Sequence, residues 1–371
     1  MGREVESSNE GEPHTREQES VEELQARQGQ YSAWSSPDDP QQTLEHLTSS
    51  ESHNLKSLDM SYIEMEGDIA KQIGEAVASH KALEVLTIKL DSTIDEEKFS
   101  SPTSVWPMDS FLTAAFLGPQ QHRNSSVVSL IIAGSGTDGD LMRVGVLPQV
   151  IRENTHIRQL WFQWHGDDGA SKGEMVDLLE ALQVNSTIES LVLPSMVRWD
   201  FPNSEDQGFI DSETFTQIVK LVQDSKSIHK LEIQIGECRG GDTDVNLDAF
   251  YRALSSNTAI RSLRMRGQIY TEVAETEFSN WIRRTSTLTE LDMQSDLEES
   301  PILKVLFGAL GNNKSLRELR LEDFPTSDDE DVIEELLNAL RVNSTMREIV
   351  FDPDSERGDE VREALKKNLE Q

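Results

Sequence analysis

Three glycines in Gly134-Ser135-Gly136-Thr137-Asp138-Gly139 follow the apolar run Val127 to Ile132 and precede a helical pattern over Leu141 to Val150. In that setting a G-x-G-x-x-G series lets backbone amides approach a pyrophosphate at a helix start, the chemistry of dinucleotide binding. An acidic pair, Asp167-Asp168, follows the next apolar run. The same glycines also do no more than turn the chain. A nucleotide fold needs its own doubly wound sheet, whereas the flanking strands here belong to a repeat. Nucleotide binding at Gly134 to Gly139 is therefore a remote alternative, and no cofactor is expected.

The other reactive residue types lead to similar conclusions. The acidic run Asp328-Asp329-Glu330-Asp331, continued by Glu334 and Glu335, lacks the alternating ligands and central glycine of an EF-hand loop and reads as a solvated helix start. The eight histidines are scattered, and His165, His229 and the single Cys238 form no nucleophile constellation. Asn124, Asn185, Asn313 and Asn343 match the glycosylation sequon. All four stand where a helix gives way to a strand, so they read as turn residues, with Asn accepting the left-handed conformation that ends a helix. No hydrolase, kinase or metalloenzyme motif is present, and the chain is expected not to be an enzyme.

What organises the chain is a repeat. Ile302 to Leu310 has helical periodicity, and after a polar Asn turn comes Leu316-x-x-Leu319-x-Leu321, whose alternate residues point one way as on a short strand. The same frame opens at Leu55, Leu83, Val127, Ile157, Ile188, Ile228, Ile260 and Leu288, and closes at Met346, giving ten frames mostly near thirty residues apart. Several share a lead-in, as in Asn185-Ser186-Thr187-Ile188 and Asn343-Ser344-Thr345-Met346. One unit cannot bury its apolar side alone, so the units must stack.

On these residues the chain resembles leucine-rich repeat proteins of the ribonuclease-inhibitor-like class, in which each strand is followed by a full α-helix, a class that includes NOD-like receptors and the Ran GTPase-activating protein. The resemblance covers roughly residues 42 to 368. It implies an α/β fold: a curved solenoid of about ten repeats, parallel strands on the concave side and helices on the convex side. The Asn usual after the Leu-x-Leu strand is mostly missing, as in Leu58-Asp59-Met60-Ser61-Tyr62-Ile63. GTPase activation or another regulatory role is the alternative the family offers. No Arg or Asn in Ser61-Tyr62-Ile63-Glu64 or Asp91-Ser92-Thr93 matches a catalytic position, so no residue is carried over.

Residues 1–41 form an acidic segment expected to be disordered, because it has too few large apolar groups to offset its ordering entropy. Residues 42–371 form the solenoid, with Glu360 to Lys367 as a capping helix. Extra chain follows the strands after Leu83 and Ile188, carrying Trp106, Pro107 and Phe111 in one case and Trp199 and Phe201 in the other, and is expected to emerge on one edge. The net charge of -34 repels nucleic acid and anionic membrane and attracts a basic protein. One cysteine cannot form an intrachain disulfide, and neither a signal peptide nor a spanning apolar run is read, so a monomer in cytoplasm or nucleus is expected.

If alternate strand residues face the concave side, its central row is Asp59, Thr87, Ile131, Trp161, Val192, Glu232, Arg264, Asp292, Arg320 and Val350. An apolar stretch centred on an exposed Trp, ringed by charge, has the makeup of a protein-binding hot spot. The expected binding surface comprises Ile131, Trp161, Gln163, Val192, Glu232, Arg264 and Arg266, with Trp106, Trp164 and Trp199 on the edge loops. Arg264 and Arg266 form a basic island suited to a carboxylate-rich peptide or to the chain's own acidic N-terminal segment. The expected partner is another protein with a basic or apolar patch.

Overall fold

The computed structural model describes residues 33–35, 39–62, 67–91, 107–119, 122–135, 144–165, 172–195, 212–235, 246–267, 272–294, 301–322, 330–350 and 358–369. Among these, eleven strands form one sheet in chain order with every pairing parallel. They are β1 (Ala33–Ser35), β2 (Ser57–Tyr62), β3 (Val85–Asp91), β4 (Ser129–Ser135), β5 (Gln159–His165), β6 (Ser190–Ser195), β7 (Lys230–Ile235), β8 (Ser262–Gly267), β9 (Glu290–Gln294), β10 (Glu318–Glu322) and β11 (Glu348–Val350). Parallel neighbours require a crossover, and here each contains a helix: α1 (Pro40–Thr48), α2 (Gly67–Ser79), α3 (Pro107–Leu112, continued by a π-helical turn at Thr113–Leu117), α4 (Leu147–Glu153), α5 (Lys172–Val184), α6 (Ser212–Asp224), α7 (Leu247–Ser256), α8 (Glu275–Arg284), α9 (Pro301–Leu310) and α10 (Glu330–Val342), while α11 (Gly358–Leu369) follows the last strand.

The ten sequence frames become β2 to β11 one for one. Their second anchors stand in a single register across the sheet, running Leu58, Leu86, Leu130, Leu160, Leu191, Leu231, Leu263, Leu291, Leu319 and Ile349. All but Ile349, which is partly covered at the end of the sheet, are buried. A one-residue slip would move the whole column to the other face, so the spacing of the leucines fixes the register. The helices bury the complementary stripe, for example Phe215, Ile218 and Val222 of α6. The molecule is thus an open α/β solenoid of strand-and-helix modules, one continuous core running along its length.

Four local expectations change. The sheet begins before Gln42: Ala33–Ser35 extends it by pairing with β2, whose outer edge offers backbone groups to any extended neighbour. Residues 1–32 lie outside the described residues. Phe111 is not a loop residue but a buried core residue of α3. Packing explains this, because α3 approaches α2 so closely that a Cβ on Gly74 would come within 2.5 Å of the Phe111 carbonyl oxygen. Helical spacing in the sequence places Val176 with Leu179 and Leu182 on the apolar stripe, but the buried residues of α5 include Met175, Leu178, Leu179 and Leu182, leaving Val176 partly exposed. The closing helix is longer than Glu360 to Lys367, spanning Gly358–Leu369, with Val361 and Leu365 buried against the last repeat.

Candidate functional site: the helix-free face of the sheet

Among the described residues the helices lie on the leucine face and leave the opposite one helix-free, so function has to be sought in the polar column at the turns and on that opposite face. The turn column lies three residues before each first anchor and reads Ser52, His80, Asn124, Asn154, Asn185, Ser225, Asn257, Thr285, Asn313, Asn343, with Asn368 closing the series in α11. The amides of Asn124, Asn185, Asn257, Asn313 and Asn343 work in two directions, while Asn154 uses its Oδ1 to accept from the His156 and Ile157 N–H groups. The Oδ1 of Asn313 accepts from the backbone N–H groups of Ser315 and Leu316, and its Nδ2 donates at 2.6 Å to the Ile282 carbonyl of the preceding module. Asn343 repeats this, donating at 2.7 and 3.0 Å to the Leu310 and Asn313 carbonyls, and Asn368 donates to the Asn343 carbonyl. Asn124, Asn185 and Asn257 bind the same way.

At two equivalent turns the chain needs no left-handed residue. Asn154 and Asn257 are extended, at φ -87° and -72°, because the side chain rather than an unusual backbone closes the helix end. The sequon amides at Asn124, Asn185, Asn313 and Asn343 are engaged in inter-module hydrogen bonds, not displayed. The lead-in Asn three residues ahead of the anchor was the available signal.

On the helix-free face the expected apolar patch is largely closed. Trp161 is half-buried between Ile131 on β4 and Val192 on β6, its register partners, which are only 8% and 5% exposed. Thr87 is buried too. These side chains pack on one another, so the patch offers a ridge of indole and not a broad apolar floor. The Trp161 Nε1 and, two residues earlier on the same face, the Gln159 Oε1 are both buried without a hydrogen-bond partner. Gln163 and Trp164 extend β5, pairing in register with Ala133 and Gly134. Their side chains, like Trp106 and Trp199, lie outside the described residues.

The basic island is also corrected. Arg264 reaches Asp292 at 2.5 Å and Glu232 at 3.7 Å, and Arg266 reaches Glu232 at 3.9 Å. Acidic neighbours on the adjacent strands pair with both cations, Arg266 more loosely and with its Nε buried and without a hydrogen-bond partner, so they form a string of paired charge. Lys89 and Asp59 make a similar pair at 2.8 Å between β2 and β3.

A third row went unnoticed in the sequence. Glu290, Glu318 and Glu348 open β9, β10 and β11 and stand side by side in register. Glu290 and Glu348 are exposed and Glu318 half-buried. Burial, and then the neighbouring Glu290 and Glu348 carboxylates, push the Glu318 carboxyl above its ordinary value of 4.5, with Arg320 opposing. The sequence signal was a Glu directly before the middle anchor of three consecutive frames.

Two other places carry features suited to chemistry. Gly134 and Ser135 of the glycine series lie in the last part of β4, paired with β3 and β5, so the first glycine serves the sheet; Gly136 to Gly139 lie outside the described residues. A cleft of about 900 Å³ runs between α2 and α3 on the helical side, with Ala78, Ala114 and Val146 among its lining. Its rim charges are used internally: Lys81 donates to the Ala78 and Arg123 carbonyls, and Asp109 accepts from the Val146 N–H. Among the described residues no group of three or more His, Cys, Asp or Glu is arranged to hold a metal ion, and no helix is long and apolar enough to cross a membrane.

No protein-family model and no curated protein sequence matches the chain. Among solved structures it is similar to the actin-binding site 2 of leiomodin-1, with a TM-score of 0.34 and 19% identity over 42% of this chain and 90% of that one. It is also similar to the tropomodulin C-terminal domain of Caenorhabditis elegans, with a TM-score of 0.31 and 13% identity over 53% of this chain and 94% of that one. The fold assignment rests on the register and burial described above.

Proposed function

We propose that this protein is a non-catalytic binding module that holds a protein partner on the helix-free face of its sheet. The observation that carries the reading is the asymmetry of that sheet. One face is sealed by α1 to α11, whereas the other presents ranked side chains, one per strand, with a half-exposed indole at Trp161 and charges from β7 onward. A surface repeated at strand spacing suits a long, ordered contact better than a small-molecule site. The alternation of a strand with a helix of one to several turns in nearly every module supports the ribonuclease-inhibitor-like class, and the large negative charge selects a partner with basic or apolar character. A cytosolic or nuclear setting fits the single cysteine.

The test is position-specific. A photoreactive amino acid at Lys89, Arg320 or Val350 on the helix-free face is expected to crosslink a distinct protein from cell extract. The same group at Val184 or Val342, exposed at the ends of α5 and α10, is expected not to. Equal labelling from both sets would refute the reading. Trp161→Ala is expected to lower the crosslinked yield while leaving the circular dichroism spectrum unchanged; loss of the folded spectrum would make the indole a core group.

A further inference from the structure

The outer edge of β2 already holds an extended segment, and holds it incompletely. β1 pairs with Ser57, Leu58 and Asp59, while Met60, Ser61 and Tyr62 have no strand partner on that side among the described residues. On its other side β2 pairs along its whole length with β3. The tether explains the difference. After Ser35 the chain has to reach α1, which starts at Pro40, so β1 leaves the sheet halfway along β2. Pairings as short join β5 to β6 and β10 to β11, but each of those strands follows a helix of its own module. β1 follows none among the described residues. The start of α1 is secured without it: the Asp39 side chain accepts from the Gln41 N–H and from the Gln42 Nε2, both at 2.9 Å, and Pro40 is the first helical residue. β1 is thus free to leave without unwinding the helix behind it.

The chemistry beside this edge points the same way. Asp59 gives its Oδ2 to Lys89 at 2.8 Å, whereas its Oδ1 is buried and has no hydrogen-bond partner. Such a group costs free energy until a donor reaches it. The residue that β1 sets in register with Asp59 is Ser35, and it supplies no bond to that oxygen. On either side of Asp59, Leu58 and Met60 are fully buried core anchors.

These features define the occupant. Only an extended backbone matches a row of N–H and C=O groups at strand spacing, so neither a helix nor a nucleic acid fits. A segment free of the tether runs on past Asp59 and pairs with Met60 to Tyr62 as well. Its residues beside Leu58 and Met60 meet the end of the core and must be apolar. Its residue beside Asp59 must donate, and a net charge of -34 favours a cation there. We propose that the β2 edge is a strand-addition site, exchanging β1 for an extended segment of a partner protein that has apolar residues at alternate positions and a Lys or Arg beside Asp59. The proposal does not depend on what the helix-free face holds.

The probe is a fluorescently labelled peptide as long as β2, Thr-Val-Lys-Val-Thr-Val, titrated into the full chain carrying Cys238→Ser. Ala33→Cys with Ser57→Cys locks β1 in place, because these register partners lie about 4.8 Å apart, within disulfide reach. The oxidised lock should lower peptide affinity by about tenfold or more, and reduction should restore it. Methylating alternate backbone nitrogens of the peptide, in the two possible phases, should abolish binding in one phase only. Asp59→Asn should weaken the Lys peptide by about threefold and leave a peptide with Thr in that place unchanged. Equal affinity of the oxidised and reduced chains, equal affinity of the two methylated peptides, or no binding to the reduced chain would overturn the proposal. A disulfide-linked dimer of the cysteine variant would assign the edge to a second copy and overturn it likewise. Crosslinking from Lys89, Arg320 or Val350 reports separately on the helix-free face.

Discussion

Two polar series run along this solenoid in the same direction, one residue per module. The asparagine column at the turns is neutral, mostly buried, and satisfied at both ends of the amide in five of its members, Asn313 and Asn343 among them. The glutamate row of β9 to β11 is charged, more open to solvent, and forms no salt bridge among the described residues, with Arg320 only opposing the push on Glu318. The periodicity is shared, while the energetics are opposite. A buried amide that closes a helix end and grips the previous module contributes stability every time it is repeated, because leaving those carbonyls and N–H groups unpaired costs more than the bonds return. A repeated carboxylate subtracts from stability every time. Repetition by itself therefore says nothing about purpose; the state of the partners does.

The largest effect is expected from Asn343→Asp, which directs a carboxylate at the Leu310 and Asn313 carbonyls in place of a donor. A loss of about 3 kcal/mol or more at neutral pH follows. It should shrink as pH falls, because a protonated carboxyl can donate again. Urea unfolding at neutral and acidic pH measures both. Asn313→Ala strands the Ile282 carbonyl and two N–H groups and should cost about 2 to 3 kcal/mol in the same assay. If either variant were neutral, the column would be ornament and the contrast would fail.

Arg264→Leu probes the string of paired charge between the two series. Removing the cation leaves Glu232 and Asp292 without it, in sites only partly open to water, and about 1 to 2 kcal/mol of destabilisation is expected by thermal unfolding. The smallest effect has the opposite sign. Glu318 is harder to ionise in the folded chain than in the unfolded one, so its charge destabilises the fold. That penalty is absent below the ordinary value of 4.5, grows as pH rises through the raised folded value, and is complete above it. Glu318→Gln should therefore stabilise by about 0.5 kcal/mol at neutral pH and by nothing in acid. A stabilisation that persisted unchanged into acid would mean that charge is not its cause.

The regular part of this fold was open to inspection in the sequence for a physical reason. A parallel sheet buried on one face repeats Leu-x-Leu at period two, a helix beside it repeats at 3.6, and Leu319 with Leu321 or Phe215 with Ile218 reveals both. The turn asparagines were visible too, but their role was not. Sequence position shows that Asn313 ends a helix, whereas the carbonyl it grips belongs to Ile282, thirty-one residues away. The basic island failed on the same ground. Arg264 and Arg266 are cations in the sequence, and only the register against Glu232 and Asp292 shows that their charge is already matched. Likewise Trp161 reads as an exposed anchor until Ile131 and Val192 are placed beside it. Cross-strand neighbours decided each of these outcomes, and cross-strand neighbours are what a linear reading lacks.

The contrast between the two series is tested most directly by urea unfolding of Asn313→Ala and Glu318→Gln side by side at pH 7. The midpoint should move down for the first and up for the second. A downward shift in both would contradict the account, since it would make the carboxylate row part of what holds the modules together.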